Sequence, residues 1–195
     1  MPSYTNTLEI DHKPKAIPYR GDGILREDGD ANYGFRYVKG DDEALRSIPE
    51  VQRDPALLNL IRGINGSETG LFSVGCVSAD VEDERGFRRS GYVEFSINSI
   101  SGIANAANYF PIYFHFDRLL HESKFSVAVA YAWELQPCTF TEADGASGFS
   151  CSVIVNTHYF ASREQASLAW KQALEPLEHL LSSVPPETTD FLYPQ

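Results

Sequence analysis

The sequence predicts an α+β fold, a two-layer sandwich in which helices cover one face of a mainly antiparallel sheet of four or more strands. Two observations predict this class. From Gly70 onward, two strand patterns are followed by a helix pattern, and the same order is then repeated. A chain of 195 residues with 43% hydrophobic residues is also long enough for one well-buried core and short for two. We therefore expect one folding unit, in which residues 54–195 form the α+β domain.

Residues 1–53 form a segment rich in Gly, Asp and Pro that interrupts every short apolar run. This spacing excludes long helices. Two short runs, at 23–27 and 34–39, flank the polar stretch from Asp28 to Tyr33 and predict a loose hairpin. The hairpin would either add to the edge of the main sheet or form a partly ordered arm packed on it.

The first half of the repeated pattern follows a short helix, for which Asp54 supplies an N-cap and Pro55 the first turn. Apolar and polar residues then alternate along 70–80 and along 87–98. This alternation is typical of two half-buried antiparallel strands.

The second half repeats this order after a helix that we expect over 111–122. Strict alternation along 125–135 and along 149–160 predicts the next two strands. The closing helix is predicted to begin after Ser162, which forms a capping box with the glutamine three residues later. Pro176 lies within its apolar stripe and predicts a kink or a split.

The alternation also assigns the two faces of the sheet. We expect the helices to cover the face with Val93, Phe95, Val127 and Val129. The opposite face would combine the small residues Ala128, Ala130 and Ala132 with the polar residues Arg88, Tyr92, Glu94, Asn98, Glu134, Asn156 and His158. Three uses of this face stay open: cover by the N-terminal segment or by a second copy of the chain, a partner protein, or a small-molecule pocket. A homodimer through the sheet face or its edge belongs to the first of these.

The charge of the chain restricts its partners. There are 27 acidic and 16 basic residues, a net charge of −11, and no run of lysines or arginines. Beyond Arg53 the chain has 17 acidic and 8 basic residues, so the acidity belongs to the folded part. Such a field repels phosphate backbones, and we expect no nucleic acid partner. No window approaches the ~20 apolar residues of a membrane span and no signal peptide is recognisable, which predicts a cytoplasmic protein without a membrane partner.

One stretch resembles the start of a calcium-binding loop. Asp28, Asp30 and Asn32 match its first three ligand positions. Tyr33 replaces the glycine that this loop requires, and Lys39 replaces the bidentate glutamate. A turn is the better interpretation.

Histidines and cysteines do not form a metal motif either. His115 and His121 are six residues apart on a predicted helix, whereas metal pairs need i, i+4 spacing. Cys76, Cys138 and Cys151 are odd in number and lack C-x-x-C spacing, so we expect them to pack as small hydrophobic residues. No nucleophile, phosphate-loop or dinucleotide motif occurs, and we expect no metal and no cofactor.

The first functional hypothesis is a non-catalytic, acidic interaction protein, for instance an inhibitor or immunity-type protein that binds a basic protein partner. Glu82, Asp83 and Glu84, together with Asp80, would concentrate negative charge at the tip of the first hairpin. The absence of catalytic motifs favours this hypothesis over an enzyme.

The alternative is a small-molecule-binding or enzymatic domain that uses the sheet face opposite the helices. Tyr92, Glu94 and His158 would form its site, with His158 as a general base near neutral pH, and Arg88 and Asn156 would lie beside them.

Overall fold

The computed structural model describes residues 4–19, 21, 34–186 and 190–193. These residues form a six-stranded, mostly antiparallel sheet with helices, which confirms the predicted fold class. The strands are β1 (Tyr4–Ile10), β2 (Lys15–Ile17), β3 (Leu71–Asp83), β4 (Gly86–Ile97), β5 (Val129–Phe140) and β6 (Ala146–Thr157). The helices are α1 (Asp42–Arg46), α2 (Pro49–Gln52), α3 (Pro55–Ile64), α4 (Ile100–Ile103), α5 (Phe110–Glu122) and α6 (Arg163–Leu181), and a 3-10 turn (Ala106–Tyr109) precedes α5.

The N-terminal segment adds two parallel strands to an otherwise antiparallel sheet. The strand order is β1-β5-β6-β4-β3, and both β1 and β2 run parallel to β5. Of the hairpin predicted before α1, residues 23–33 lie outside the described part, and residues 34–39 contain only an isolated bridge at Gly34. The segment therefore contributes to the sheet through residues nearer the N-terminus than we predicted.

The helices pack on the face of the sheet that was predicted to be buried. Trp170 of α6 lies against Gly91 of β4, where an added Cβ would come within 2.9 Å of the indole ring. Across the sheet, the Tyr131 hydroxyl donates to the carbonyl oxygen of Ala173 at 2.8 Å. α6 is continuous through Pro176, so the predicted split does not occur. The buried side chains on both sides of the proline, including Ala173 and Leu177, hold the two halves on the same core.

β5 begins four residues later than the alternation predicted. The end of α5 explains the difference, because the Phe125 amide still donates to the carbonyl oxygen of Leu120, and Lys124 adopts a positive φ of 52°. The Phe125 ring packs against Tyr4 of β1 and Tyr131 of β5. Phe125 and Val127 thus pack against the core before the strand begins. Val127 and Ala128, which were predicted on opposite faces of the sheet, precede β5.

The Tyr109 side chain occupies the place where β4 and β6 separate. The two strands pair as far as Phe95 and Cys151. Beyond them, the Tyr109 hydroxyl donates to the carbonyl oxygen of Phe149 at 2.5 Å and accepts from the amide of Ile97 at 3.3 Å. One side chain thereby satisfies backbone groups that the ladder no longer pairs.

Lys39 is a buried lysine held by carbonyl groups. Its Nζ donates to the carbonyl oxygens of Gly66 at 2.9 Å, Thr69 at 2.7 Å and Leu71 at 2.8 Å. Burial lowers the pKa of its ammonium group to about 8. This lysine fixes the loop between α3 and β3 onto the segment before α1.

The C-terminal residues cover one end of the sheet face opposite the helices. Asn98 was predicted to lie open on that face, but it is buried, because β4 ends at Ile97 and the alternation ends with it. Its side-chain Nδ2 donates to the carbonyl oxygen of Tyr193 at 3.0 Å, and its Oδ1 accepts from the backbone amide of Tyr193 at 2.8 Å. The Tyr193 ring then packs against Phe72 and Phe140.

Candidate functional site

The sheet face opposite the helices is covered at one end and accessible at the other. Residues 18–19, which follow β2, and the C-terminal segment lie over the covered end. We call the accessible remainder the open face. Its side chains alternate with those of the helix-covered face and are half-buried or exposed, apart from Glu94, which is buried. The open face comprises Thr5, Thr7 and Glu9 of β1, Ala130, Ala132 and Glu134 of β5, Ser152, Ile154 and Asn156 of β6, and Ser90, Tyr92 and Glu94 of β4.

A row of carboxylates crosses the open face. Glu9 is paired with Glu134 in the register of β1 and β5, Glu134 with Ser152, and Ser152 with Glu94. Neighbouring positions in such a row are about 4.8 Å apart. Glu94 has a cationic partner, Lys15 of β2, whose Nζ contacts its Oε1. Because β2 pairs with β5 and Glu94 belongs to β4, the Lys15 side chain reaches across two strands to make this ion pair.

Among the described residues, Glu9 and Glu134 have no such partner. Neither carboxylate forms an ion pair or a hydrogen bond with any other described residue, and Glu9 is exposed. Like charges placed directly opposite each other on adjacent strands destabilise a sheet. Two adjacent carboxylates without a cationic partner among the described residues therefore favour the binding of a cation at this point of the surface.

Beside this row, Tyr19 covers Gly75 of β3. An added Cβ at Gly75 would lie 2.6 Å from the Tyr19 hydroxyl oxygen, so only glycine leaves room for this ring. The hydroxyl donates to the carbonyl oxygen of Val74 at 3.3 Å. Burial, followed by the proximity of Tyr92 and Glu94, raises the pKa of the Tyr19 hydroxyl. This tyrosine stays protonated and marks the border between the covered end and the open face.

Asn156 lies on the open face as predicted from its position in the strand, and it is held by a neighbour. The Ser90 hydroxyl donates to its Oδ1 at 2.6 Å across the β4–β6 pair.

His158 lies apart from Tyr92 and Glu94. Ile154 is the residue of β6 opposite Tyr92, and His158 follows it by four residues, or about 13 Å along an extended chain. His158 is exposed beyond the end of β6, where its amide donates to the carbonyl oxygen of Ala128. This separation exceeds the reach of direct proton transfer, so the three residues do not form the general-base site of the alternative hypothesis.

The acidic hairpin between β3 and β4 is closely paired with arginines. Asp83 contacts Arg85 at 2.7 Å and accepts from the Tyr159 hydroxyl at 2.6 Å. These hydrogen bonds, from Arg85 first and then from Tyr159, hold the pKa of the Asp83 carboxyl far below its usual range. Glu82 forms an ion pair with Arg163 of α6.

Two further arginines lie in β4 near the hairpin, on opposite faces of the sheet. Arg88 lies over the Tyr159 ring, with 5.3 Å between its Cζ and the ring centroid. Arg89 contacts Asp80 at 2.9 Å, and Glu84 is exposed in the two-residue turn of the hairpin. The four carboxylates at 80–84 are thus accompanied by four guanidinium groups, those of Arg85, Arg88, Arg89 and Arg163. The hairpin is not the strongly acidic tip that its local sequence suggested.

The buried cysteines do not supply a nucleophile. Burial raises the pKa of the Cys138 thiol to about 12, although Lys15 nearby opposes the shift. Burial also raises the pKa of Cys151 well above its ordinary value. Because the thiolate is the reactive form, both side chains are inert near neutral pH.

Sequence reasoning missed Glu9, Lys15 and Tyr19 as parts of this surface. The signal was present, since Tyr4, Asn6 and Leu8 alternate with Thr5, Thr7 and Glu9 in a pattern of period two. The pattern is weakly apolar because β1 is an edge strand whose second face is open.

Comparison of the chain with protein-family models, with curated proteins and with solved structures gives no match. Among the described residues, no group of three or more histidine, cysteine, aspartate and glutamate side chains could hold a metal ion. In the same part of the chain, no helix combines the length and the apolar character needed to cross a membrane.

Proposed function

We propose that the protein is a non-catalytic binding protein, of the inhibitor or immunity type, that binds a basic protein partner through the open face. The observation that carries this proposal is the unpaired carboxylate pair of Glu9 and Glu134. A guanidinium or ammonium group of a partner, placed between the two carboxylates, would relieve their repulsion and form charge-assisted hydrogen bonds with both.

The neighbouring side chains support a close approach by the partner. Ala130 and Ala132 lie beside the two glutamates on β5, and Thr5 and Thr7 lie beside them on β1. Small side chains leave the surface flat, and the threonine hydroxyls add hydrogen-bonding groups. The net charge of −11 would steer a basic partner towards the protein and accelerate association.

The proposed site lies on the open face and not at the β3–β4 hairpin. The acidic hairpin carries its own arginines, whereas the carboxylates of the open face have one cationic partner, Lys15, among the described residues. The three cysteines form no disulfide, which supports a reducing compartment such as the cytoplasm for this function.

The test is affinity capture from the native host at low and at high salt with two charge-matched double variants. Glu9→Gln with Glu134→Gln removes the unpaired carboxylates. Glu68→Gln with Glu175→Gln removes two exposed carboxylates elsewhere and serves as the control. We expect one basic protein to be captured by the wild type and by the control, to be released at high salt, and to be lost with the open-face variant.

Two outcomes would overturn the proposal. Equal capture by both double variants would show that the open face is not the binding surface. A wild-type dimer in sedimentation experiments that the open-face variant abolishes would assign this face to a second copy of the chain.

A further inference from the structure

We propose a second binding site, for a medium-chain carboxylate, in a groove between α5 and the C-terminal end of α6. The groove has a volume of about 420 Å³, within the range of small-molecule sites. It lies on the helical layer, on the opposite side of the sheet from the open face. The site is therefore independent of the proposed partner surface.

The floor and walls of the groove are apolar. Ile97, Ile112 and Leu180 belong to the hydrophobic core and also line the groove. Pro111 at the start of α5 and Val184 after α6 form the sides. Such a lining binds a hydrocarbon chain by removing apolar surface from water.

Two of the polar groups that line the groove are already occupied. The side-chain Nδ2 of Asn108 donates to the carbonyl oxygens of Ser101 and Gly102. The Ser183 hydroxyl donates to the carbonyl oxygen of Leu180. These bonds fix the shape of the groove and leave little hydrogen-bonding capacity for a polar ligand.

His115 is the exception among the polar lining residues. It is exposed and forms no ion pair or hydrogen bond with the rest of the described chain. Arg118 lies one turn further along α5, and its ion pair with Glu122 is long, at 3.9 Å. His115 lines the groove, and Arg118 lies on the same side of α5 beyond the lining residues. These two basic side chains complement an anionic headgroup at this end.

An exposed aromatic residue of α5 is next to a lining residue in the sequence. Phe114 precedes His115 and is 61% exposed, the most exposed large apolar side chain of the described residues. It is three residues from Pro111, so both lie on the same side of α5. The combination of hydrocarbon-lined floor and basic end points to a carboxylate with an aliphatic tail.

The probe is octanoate, added to the 15N-labelled full chain and followed by amide chemical shifts, with 1-octanol as the neutral comparison. We expect saturable shifts confined to Ile97, Asn108, α5 and residues 180–185. Val184→Trp should fill the groove and weaken octanoate binding by about tenfold or more. Leu168→Trp introduces the same ring at an exposed apolar position of α6 outside the groove and should leave binding unchanged.

His115→Ala tests whether His115 contacts the carboxylate headgroup. Because His115 is exposed, this substitution does not change the packing of the core. We expect it to weaken octanoate binding about three- to tenfold and to leave octanol binding unchanged. Non-saturable or dispersed shifts would overturn the site, as would equal binding by Val184→Trp in a protein with native circular dichroism. Equal losses of octanoate and octanol with His115→Ala would overturn the assignment of a carboxylate ligand.

Discussion

Asp54 connects three elements of the fold, and its replacement by asparagine should be strongly destabilising. Its side chain is buried, with 1% of its surface exposed. Oδ1 accepts from the amides of Ala56 and Leu57 and caps α3. Oδ2 accepts from Trp170 Nε1 of α6 at 2.7 Å and contacts the Arg89 guanidinium of β4 at 3.1 Å. Asp54→Asn keeps the size of the side chain but replaces one of the two acceptor oxygens by an NH2 group. That group would face either the backbone amides of α3 or the side chains of Trp170 and Arg89, all of which are donors.

The cost follows from the partners that lose their acceptor. Breaking a buried ion pair costs about 3–5 kcal/mol. Arg89 keeps its contact with Asp80 at 2.9 Å, which favours the lower end of this range. We therefore expect Asp54→Asn to lower the free energy of unfolding by about 3 kcal/mol. Asp54→Ala also removes the N-cap, which adds about 1 kcal/mol.

The measurement is urea unfolding, followed by circular dichroism and by tryptophan fluorescence. The free energies of unfolding of variant and wild type are comparable when the dependence of free energy on urea concentration has the same slope in both. Asp42→Asn is the matched control, because Asp42 pairs with Arg46 and Arg62 on the exposed surface. Its unfolding midpoint should equal that of the wild type within error. A loss of less than about 1 kcal/mol for Asp54→Asn would refute the reasoning, since the buried network would then contribute little to stability.

Three further predictions concern Lys39, Tyr109 and the cysteines. Lys39→Met should lower the free energy of unfolding by about 2–3 kcal/mol in urea denaturation. The pKa of Lys39 is lowered to about 8, so above pH 8 the native state binds fewer protons than the unfolded state. The free energy of unfolding of the wild type should therefore rise relative to that of Lys39→Met between about pH 8 and pH 10. An equal pH dependence of stability in the wild type and in Lys39→Met would contradict the lowered pKa of Lys39. Tyr109→Phe should cost about 1–3 kcal/mol in the same assay, because it leaves backbone groups of β4 and β6 unpaired; an unchanged midpoint would exclude that role. Ellman's reagent should modify the partly exposed Cys76 faster than Cys138 and Cys151, and Cys76→Ser should remove the fast phase.

Local signals in the sequence were sufficient for most of the fold. Asp54 with Pro55 and Ser162 with its capping box mark real helix starts, and α5 begins within one residue of its predicted position. These features depend on residues that are neighbours in the chain. β1 was missed because its pairing with β5 joins residues more than a hundred positions apart, and an edge strand with one open face needs few apolar residues.

The candidate site could be predicted only in part. The strand alternation assigned Tyr92, Glu94 and Asn156 to one face, because side-chain direction in a strand is a local property. It did not show that Lys15 would reach Glu94, since that contact depends on the position of β2. At the acidic hairpin, the pairing of Glu82 with Arg163 depends in the same way on a distant helix. Arg85 and Arg89, in contrast, belong to the hairpin's own sequence, and their pairing with Asp83 and Asp80 was a local signal.

The most direct test of the open face as a binding surface is a titration of the 15N-labelled protein with a short arginine-rich peptide. Amide shifts should centre on β1 and β5 around Thr7, Ala132 and Glu134 and weaken with added salt. They should disappear in the Glu9→Gln, Glu134→Gln variant and persist in the Glu68→Gln, Glu175→Gln control. Shifts centred on the β3–β4 hairpin, or shifts of equal size in both variants, would contradict the account.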